Sequence, residues 1–134
     1  MQVREVMTRD PLTARRSTSI FDAMRTLEDE QIRHLPIVDD GELKGIVSDR
    51  DLTRFSREML IEDRDAARRR LQLPVGDLMT ADPVHVAPDD DVDDAIDMML
   101  ENRVGALPVV DEADGSLVGI ISYVDVLRAA RGKM

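Results

Sequence analysis

The sequence predicts an α/β fold of the α+β kind, built as two β-α-β-β-α repeats related by pseudo-twofold symmetry. Three observations predict it. First, the chain is self-similar. Residues 3–40 laid on 75–112 give identities at Val3/Val75, Met7/Met79, Thr8/Thr80, Asp10/Asp82, Pro11/Pro83, Asp22/Asp94, Ala23/Ala95, Leu35/Leu107, Pro36/Pro108, Val38/Val110 and Asp39/Asp111. After two extra residues in the second copy the match resumes at Gly41/Gly115, Leu43/Leu117, Gly45/Gly119, Ile46/Ile120, Ser48/Ser122, Asp51/Asp125 and Arg54/Arg128. Second, each copy alternates helical apolar stripes with short apolar runs around turns, so helices and strands are mixed. Third, a copy of this size cannot bury its apolar face alone, and 134 residues allow one module in which the copies support each other.

The elements follow in order. Leu12-Thr13-Ala14 reads as a short extended piece after the turn-prone Asp10-Pro11. Ile20, Ala23, Met24 and Leu27 fall at i, i+3, i+4 and i+7, the stripe of an amphipathic helix, and Ser19 with Asp22 suits its start. Leu35–Val38 and Leu43–Ser48 are two apolar runs around Asp39-Asp40-Gly41, a β-hairpin pattern. Leu52, Phe55, Ser56 and Met59 give the second helix its inner face.

The second copy repeats the order. Val84-His85-Val86 is its opening strand, and Val92, Ala95, Ile96 and Met99 mark a helix started by Asp91 with Asp94. Leu107–Val110 and Leu117–Ser122 form the hairpin, and Val126, Leu127 and Ala130 are expected to face the last helix inward. The boundaries are therefore 1–56 for the first repeat, 57–74 for a joining segment and 75–131 for the second repeat. The join lacks glycine and serine enrichment, so it is expected to extend the preceding helix and stop before Pro74.

Composition narrows the class of function. The chain is 43% hydrophobic and 34% charged, with no run long enough to cross a bilayer. Met1–Met7 lacks the apolar core of a secretory signal, so a cytoplasmic protein is expected. The absence of cysteine excludes disulfides, thiol nucleophiles and thiolate metal sites. The formal net charge is −10, concentrated in the second repeat, where residues 75–131 hold thirteen acids against Arg103, Arg128 and Arg131. Such a surface repels nucleic acid and anionic membrane. The one basic cluster, Arg68-Arg69-Arg70, follows Glu62, Asp63 and Asp65; pairing of Asp65 with Arg68 and Arg69 makes it a solvated helix face.

The repeat closely resembles the cystathionine-β-synthase (CBS) domain, and the whole chain resembles one tandem pair, or Bateman module. The residues that carry the resemblance are Val3–Thr8 and Val75–Thr80 at the head of each copy, His34–Val38 and Ala106–Val110 in the middle, and Gly45–Asp51 and Gly119–Asp125 at the close. The resemblance implies a regulatory module that binds adenosine-containing ligands (AMP, ADP, ATP or S-adenosylmethionine), with Mg²⁺ as a possible companion, in clefts between the copies. It also implies a homodimer, signalling to a regulated protein partner, and, with no enzyme or channel domain in the chain, a free-standing member.

The Gly-x-x-Ser-x-x-Asp segment suits a nucleotide chemically. Its glycine admits a close backbone approach, its serine sits where a helix begins and free N–H groups meet a phosphate, and its aspartate can accept ribose hydroxyls. The same Ser-x-x-Asp is also a helix capping box, needed by the fold with or without ligand. The resemblance implies one site pairing Ser122 and Asp125 with Thr13, Arg33 and His34, and a second pairing Ser48 and Asp51 with His85, Arg103 and Ala106. Arg33, His34, Arg103 and Arg50 are candidates to neutralise phosphate, or else ordinary side chains near strand ends. His85 departs from the small or hydroxyl residue commoner at the adenine-flanking position that Thr13 occupies.

The acidic stretch Asp89–Asp94 with Asp97 reads as a helix start complementing the dipole, because it lacks the glycine and alternating ligands of a calcium loop. Met98 and Leu100 widen the apolar stripe of that helix where the first copy has Thr26 and Glu28, which suits a partner helix in a homodimer. Catalysis is not expected: no nucleophile elbow, zinc-protease motif or phosphate-cradling glycine loop occurs, and His34 has no placement as a base for Ser48. Two readings of different class remain, a ligand sensor and a non-catalytic dimeric interaction scaffold with vestigial ligand clefts.

Overall fold

The computed structural model describes residues 1–132. The elements are β1 (Thr8–Arg9), α1 (Ile20–Asp29), β2 (His34–Asp39), β3 (Glu42–Ser48), α2 (Asp49–Met59), α3 (Arg64–Leu71), β4 (Thr80–Ala81), α4 (Val92–Asn102), β5 (Ala106–Val110), β6 (Leu117–Ser122) and α5 (Tyr123–Arg131). A 3₁₀ turn precedes β1 at Val3–Glu5 and β4 at Val75–Asp77. Among the described residues no helix is long and apolar enough to cross a membrane.

The chain divides into two compact units that do not coincide with the two sequence repeats. One unit takes Met1–Pro11, Gly41–Leu43 and the chain from Pro83 onward; the other takes Leu12–Asp40 and Lys44–Asp82. The leading segments are thus exchanged: residues 1–11 fold with the body of the second repeat, and residues 75–82 with the body of the first. Each unit has a three-stranded sheet completed by the exchanged strand. In the first unit the order is β1-β6-β5, with Thr8 opposite Ile120 and Arg9 opposite Gly119. In the second it is β2-β3-β4, with Gly45 opposite Ala81 and Ile46 opposite Thr80.

Each unit also has its own core. Ile20, Ala23 and Leu27 of α1 pack with Leu35, Ile37 and Val47 of the sheet, with Leu52 and Phe55 of α2, and with the imported Val75. The other core joins Ala95 and Met99 of α4 to Leu107, Val109 and Ile121, with Val86 and the imported Val3. Val3 and Val75 are both fully buried. Full burial of one such side chain contributes about 1.5–3 kcal/mol, so each valine helps anchor its exchanged segment.

The predicted opening strands shrink to single bridges. Ala14 bridges Ile37 and Val86 bridges Val109, both parallel. In each case the bridge uses the carbonyl of a proline, Ala14 N–H to Pro36 O at 3.0 Å and Val86 N–H to Pro108 O at 3.1 Å. Extending the ladder two residues back would require an N–H on Pro36 or Pro108 to reach the carbonyl of Leu12 or Val84. Proline has none, and the strand stops. The strands that do form, β1 and β4, lie in the leading motifs, where no strand is expected from the sequence pattern.

The first hairpin turns on Asp40 and Gly41 (φ +53° and +77°), the left-handed pair that a two-residue turn between twisted strands requires. The second hairpin spends its two extra residues on a wider loop, closed by Gly115 N–H to Asp111 O at 2.7 Å. The join is not one continuous helix: α2 ends at Met59, and α3 restarts at Arg64 with the Asp63 carboxylate accepting from the Ala66 N–H. Arg70, rather than Arg68 or Arg69 with Asp65, carries the ion pairs of this segment among the described residues, reaching Glu58 and Glu62. Its guanidinium also lies 4.8 Å from the Phe55 ring centroid.

Two further expectations are corrected. On α5, Val126 packs partly against its core, but Leu127 is 63% exposed and Ala130 is exposed. On α4, Asp91 caps through the Asp93 N–H rather than that of Asp94. Of the residues expected to widen the stripe of α4, Met98 packs partly against the core and Leu100 is 72% exposed.

Candidate functional site

In both units the Ser-x-x-Asp segment sits at a strand-to-helix junction, β3 to α2 and β6 to α5, with the serine as N-cap. The strand must end there because the serine side chain takes a helix N–H that has no intrahelical acceptor. The box closes reciprocally. Asp51 N–H donates to Ser48 Oγ at 3.1 Å while Ser48 N–H donates to Asp51 Oδ2 at 2.9 Å. Asp125 N–H donates to Ser122 Oγ at 3.3 Å, and Ser122 N–H donates to Asp125 Oδ2 at 3.0 Å. All four residues are half-buried.

The second unit collects Arg33, His34, Ser48 and Asp51 at one end of its sheet. The Asp49 N–H donates to the Arg33 carbonyl at 2.8 Å, tying the start of β2 to the first turn of α2. His34 opens β2 and is half-buried. Burial pushes its imidazole below the usual histidine range, and the nearby guanidinium groups of Arg33 and Arg50 act in the same direction; the carboxylates of Asp51 and Asp49 oppose them without prevailing. Thr13 is exposed, one residue before the Ala14 bridge to the same strand.

The first unit builds the equivalent end from Ala106, Ser122 and Asp125. Ala106 is buried and lies opposite Ser122 in the β5–β6 register. The Tyr123 N–H donates to the Gly105 carbonyl at 3.0 Å, matching the Asp49–Arg33 tie. Arg103 is exposed and closes α4 in the left-handed conformation (φ +54°, ψ +43°). His85 is exposed, its ring nitrogen Nδ1 lying 3.3 Å from the Pro83 carbonyl oxygen.

The two ends differ in charge. Where one presents His34, Asp49 and Arg50, the other has Ala106, Tyr123 and Val124. One contributor was missed in the sequence. Thr8 Oγ1 donates to Asp125 Oδ1 at 3.1 Å, brought there by the exchanged strand β1. The Thr8/Thr80 identity was its only signal. The acidic stretch behaves as a helix start, with Asp90 Oδ2 accepting from Ala87 N–H at 2.8 Å and Asp91 Oδ1 from Asp93 N–H at 2.9 Å. Among the described residues no group of three or more histidine or carboxylate side chains is placed to hold a metal ion.

Comparison with known proteins places these features. A family model described as the CBS domain matches residues 3–58 and again 75–132. CBSX2, a chloroplastic CBS domain-containing protein of Arabidopsis thaliana, is 35% identical over 134 aligned residues, covering 85% of this chain and 56% of that protein. The chain thus spans little more than half the length of this relative. A CBS domain-containing protein of Dictyostelium discoideum is 33% identical over 128 residues, covering 93% of this chain and 88% of its own length. Among solved structures, CBSX2 in complex with AMP superposes with a TM-score of 0.82 at 35% identity, over 98% of this chain and 96% of that one. The CBS domain pair of protein MJ0100, in complex with 5′-methylthioadenosine and S-adenosyl-L-methionine, gives a TM-score of 0.82 at 28% identity, over 100% and 98% of the two chains.

Proposed function

Since the chain belongs to the CBS domain family and carries two of its repeats, we propose that it is a regulatory module, not an enzyme, that binds adenosine-containing ligands and signals by a conformational change. What supports this most is the similarity over nearly the full chain to a structure holding AMP, together with a half-buried Ser-x-x-Asp junction in each unit. In this reading Asp51 and Asp125 accept ribose hydroxyls, and Ser48 and Ser122 with the adjoining helix N–H groups face phosphate. The family resemblance adds Thr13, Arg33, His34, His85, Arg103 and Ala106 to the residues that meet ligand. An acidic protein needs local positive charge to hold an anion, which Arg33, Arg50 and Arg103 supply.

Ligand binding shifts such a module only through different affinity for its two states, and a protein partner in the cytoplasm would read the shift. Mg²⁺ would enter with ATP, held by the nucleotide's own phosphates. The exposed Leu100 and Leu127 on α4 and α5 support a homodimer.

A thermal-shift screen over AMP, ADP, ATP, S-adenosylmethionine and 5′-methylthioadenosine tests the reading. Ligand at a hundredfold excess over its Kd should stabilise the native state by about 2.7 kcal/mol, a shift of several degrees. Asp51→Ala and Asp125→Ala should each remove part of it. A flat response to all five compounds would leave the scaffold reading in its place.

A further inference from the structure

The two carboxylates proposed to meet ribose are not equally free to do so. An ionised carboxylate offers about four lone-pair positions, two on each oxygen. Asp125 has three of them filled by its own protein. Oδ2 accepts from the Ser122 N–H at 3.0 Å and from the Ser122 hydroxyl at 3.1 Å, and Oδ1 accepts from the Thr8 hydroxyl at 3.1 Å. One position remains, on Oδ1. Asp51, at the equivalent place, accepts only from the Ser48 N–H at 2.9 Å among the described residues. Both of its oxygens keep a place open. A ribose 2′,3′-diol donates two hydroxyl hydrogens, and a carboxylate takes them best with one on each oxygen.

From this accounting, and resting on the nucleotide reading above, we infer that Thr8 makes the two half-sites unequal in ribose recognition. Asp51 accepts the full diol, whereas Asp125, held by the Thr8 and Ser122 hydroxyls, accepts one ribose hydroxyl. Thr8 is a positioning residue that sets this specificity through Asp125. It cannot drift out of reach, because β1 is pinned to β6 by the pairing of Thr8 with Ile120. Thr80 occupies the same place in the other unit, pinned opposite Ile46, yet makes no bond to Asp51 among the described residues. The identical residue in the repeat therefore has a different role in each copy.

The consequence is a difference in discrimination between AMP and 2′-deoxy-AMP. Calorimetric titration of the whole chain carrying Asp51→Ala isolates the Asp125 half-site, and Asp125→Ala isolates the other. The Asp125 half-site should bind the two nucleotides within about threefold of each other, and the Asp51 half-site should prefer AMP by about tenfold, the worth of one hydrogen bond to a charged group. Adding Thr8→Val to the Asp51→Ala protein removes the donor at constant shape, opens the second position on Oδ1 while Ser122 still fills Oδ2, and should raise the preference for AMP above about threefold without reaching that of the Asp51 half-site. Thr8→Ser should restore the lower ratio. A purely structural role for Thr8 would move the melting temperature and leave the ratio unchanged. The inference is overturned if the Asp125 half-site already prefers AMP tenfold, or if Thr8→Val weakens AMP binding relative to 2′-deoxy-AMP. If neither half-site binds AMP at all, the nucleotide reading fails first and this inference with it.

Discussion

Gly45 lies directly beneath Met79: a Cβ built on the glycine would stand 2.5 Å from the methionine Sδ and 2.7 Å from the Thr80 carbonyl oxygen. Gly119 and Met7 repeat the relationship, at 2.6 Å from Sδ and 2.9 Å from the Thr8 carbonyl oxygen. In each unit the glycine belongs to the body of one repeat and the methionine to the leading segment of the other. The absence of a side chain is what lets the exchanged strand come close enough to pair. Because the Met side chain could shift but the carbonyl is held in the sheet, Gly45→Ala and Gly119→Ala should each destabilise by about 1–3 kcal/mol, as overpacking generally does. Urea denaturation would check this, and an unchanged midpoint would show that the segment is not held by that contact.

The serine caps should have unequal worth. Loss of an N-cap hydroxyl typically costs about 1 kcal/mol. Ser48 Oγ accepts from the Asp51 N–H, whereas Ser122 Oγ both accepts from the Asp125 N–H and donates to Asp125 Oδ2. Ser122→Ala should therefore destabilise more than Ser48→Ala in denaturant melts of the unliganded protein. Equal losses would mean that the Ser122 hydroxyl bond to the carboxylate contributes nothing to the fold.

His34 should give the stability a slope near neutrality. Its folded-state pKa is lowered from the ordinary 6.5 chiefly by burial. The unfolded chain therefore takes up the proton first as the medium is acidified. The stability contributed by keeping the ring neutral is present above pH 6.5 and is lost as pH falls through the folded value. The difference in urea midpoint between wild type and His34→Gln, followed from about pH 8 to about pH 5, isolates this from the carboxylates. Wild type should lose stability relative to the variant on acidification; parallel curves would contradict the burial argument.

Much of this architecture was legible in the residues because the repeat states it twice. Helix α1, its Ser19 cap and both hairpins follow from periodicity and turn chemistry, which are local properties. The exchange of leading segments is not local. Thr8–Arg9 and Thr80–Ala81 are too short to show an alternating pattern, and their partners lie far along the chain. The prolines that cut short the opening strands were in view, at Pro36 and Pro108, but only the parallel register shows which N–H would be missing. On α5, spacing alone points Leu127 and Ala130 inward, although a short helix packed along one side buries a narrower stripe. At the candidate site, Ser48, Asp51, Ser122 and Asp125 were legible as a recurring motif. Thr8 was not, because its carboxylate partner lies 117 positions away.

The central claim, that this module binds adenosine compounds through Asp51 and Asp125, is tested most directly by the heat of AMP binding to the wild-type chain and to the Asp51→Ala/Asp125→Ala double variant. Saturable binding to the wild type, abolished or weakened at least about tenfold in the double variant, is the expected result. Equal binding by both proteins, or none by the wild type, would contradict it.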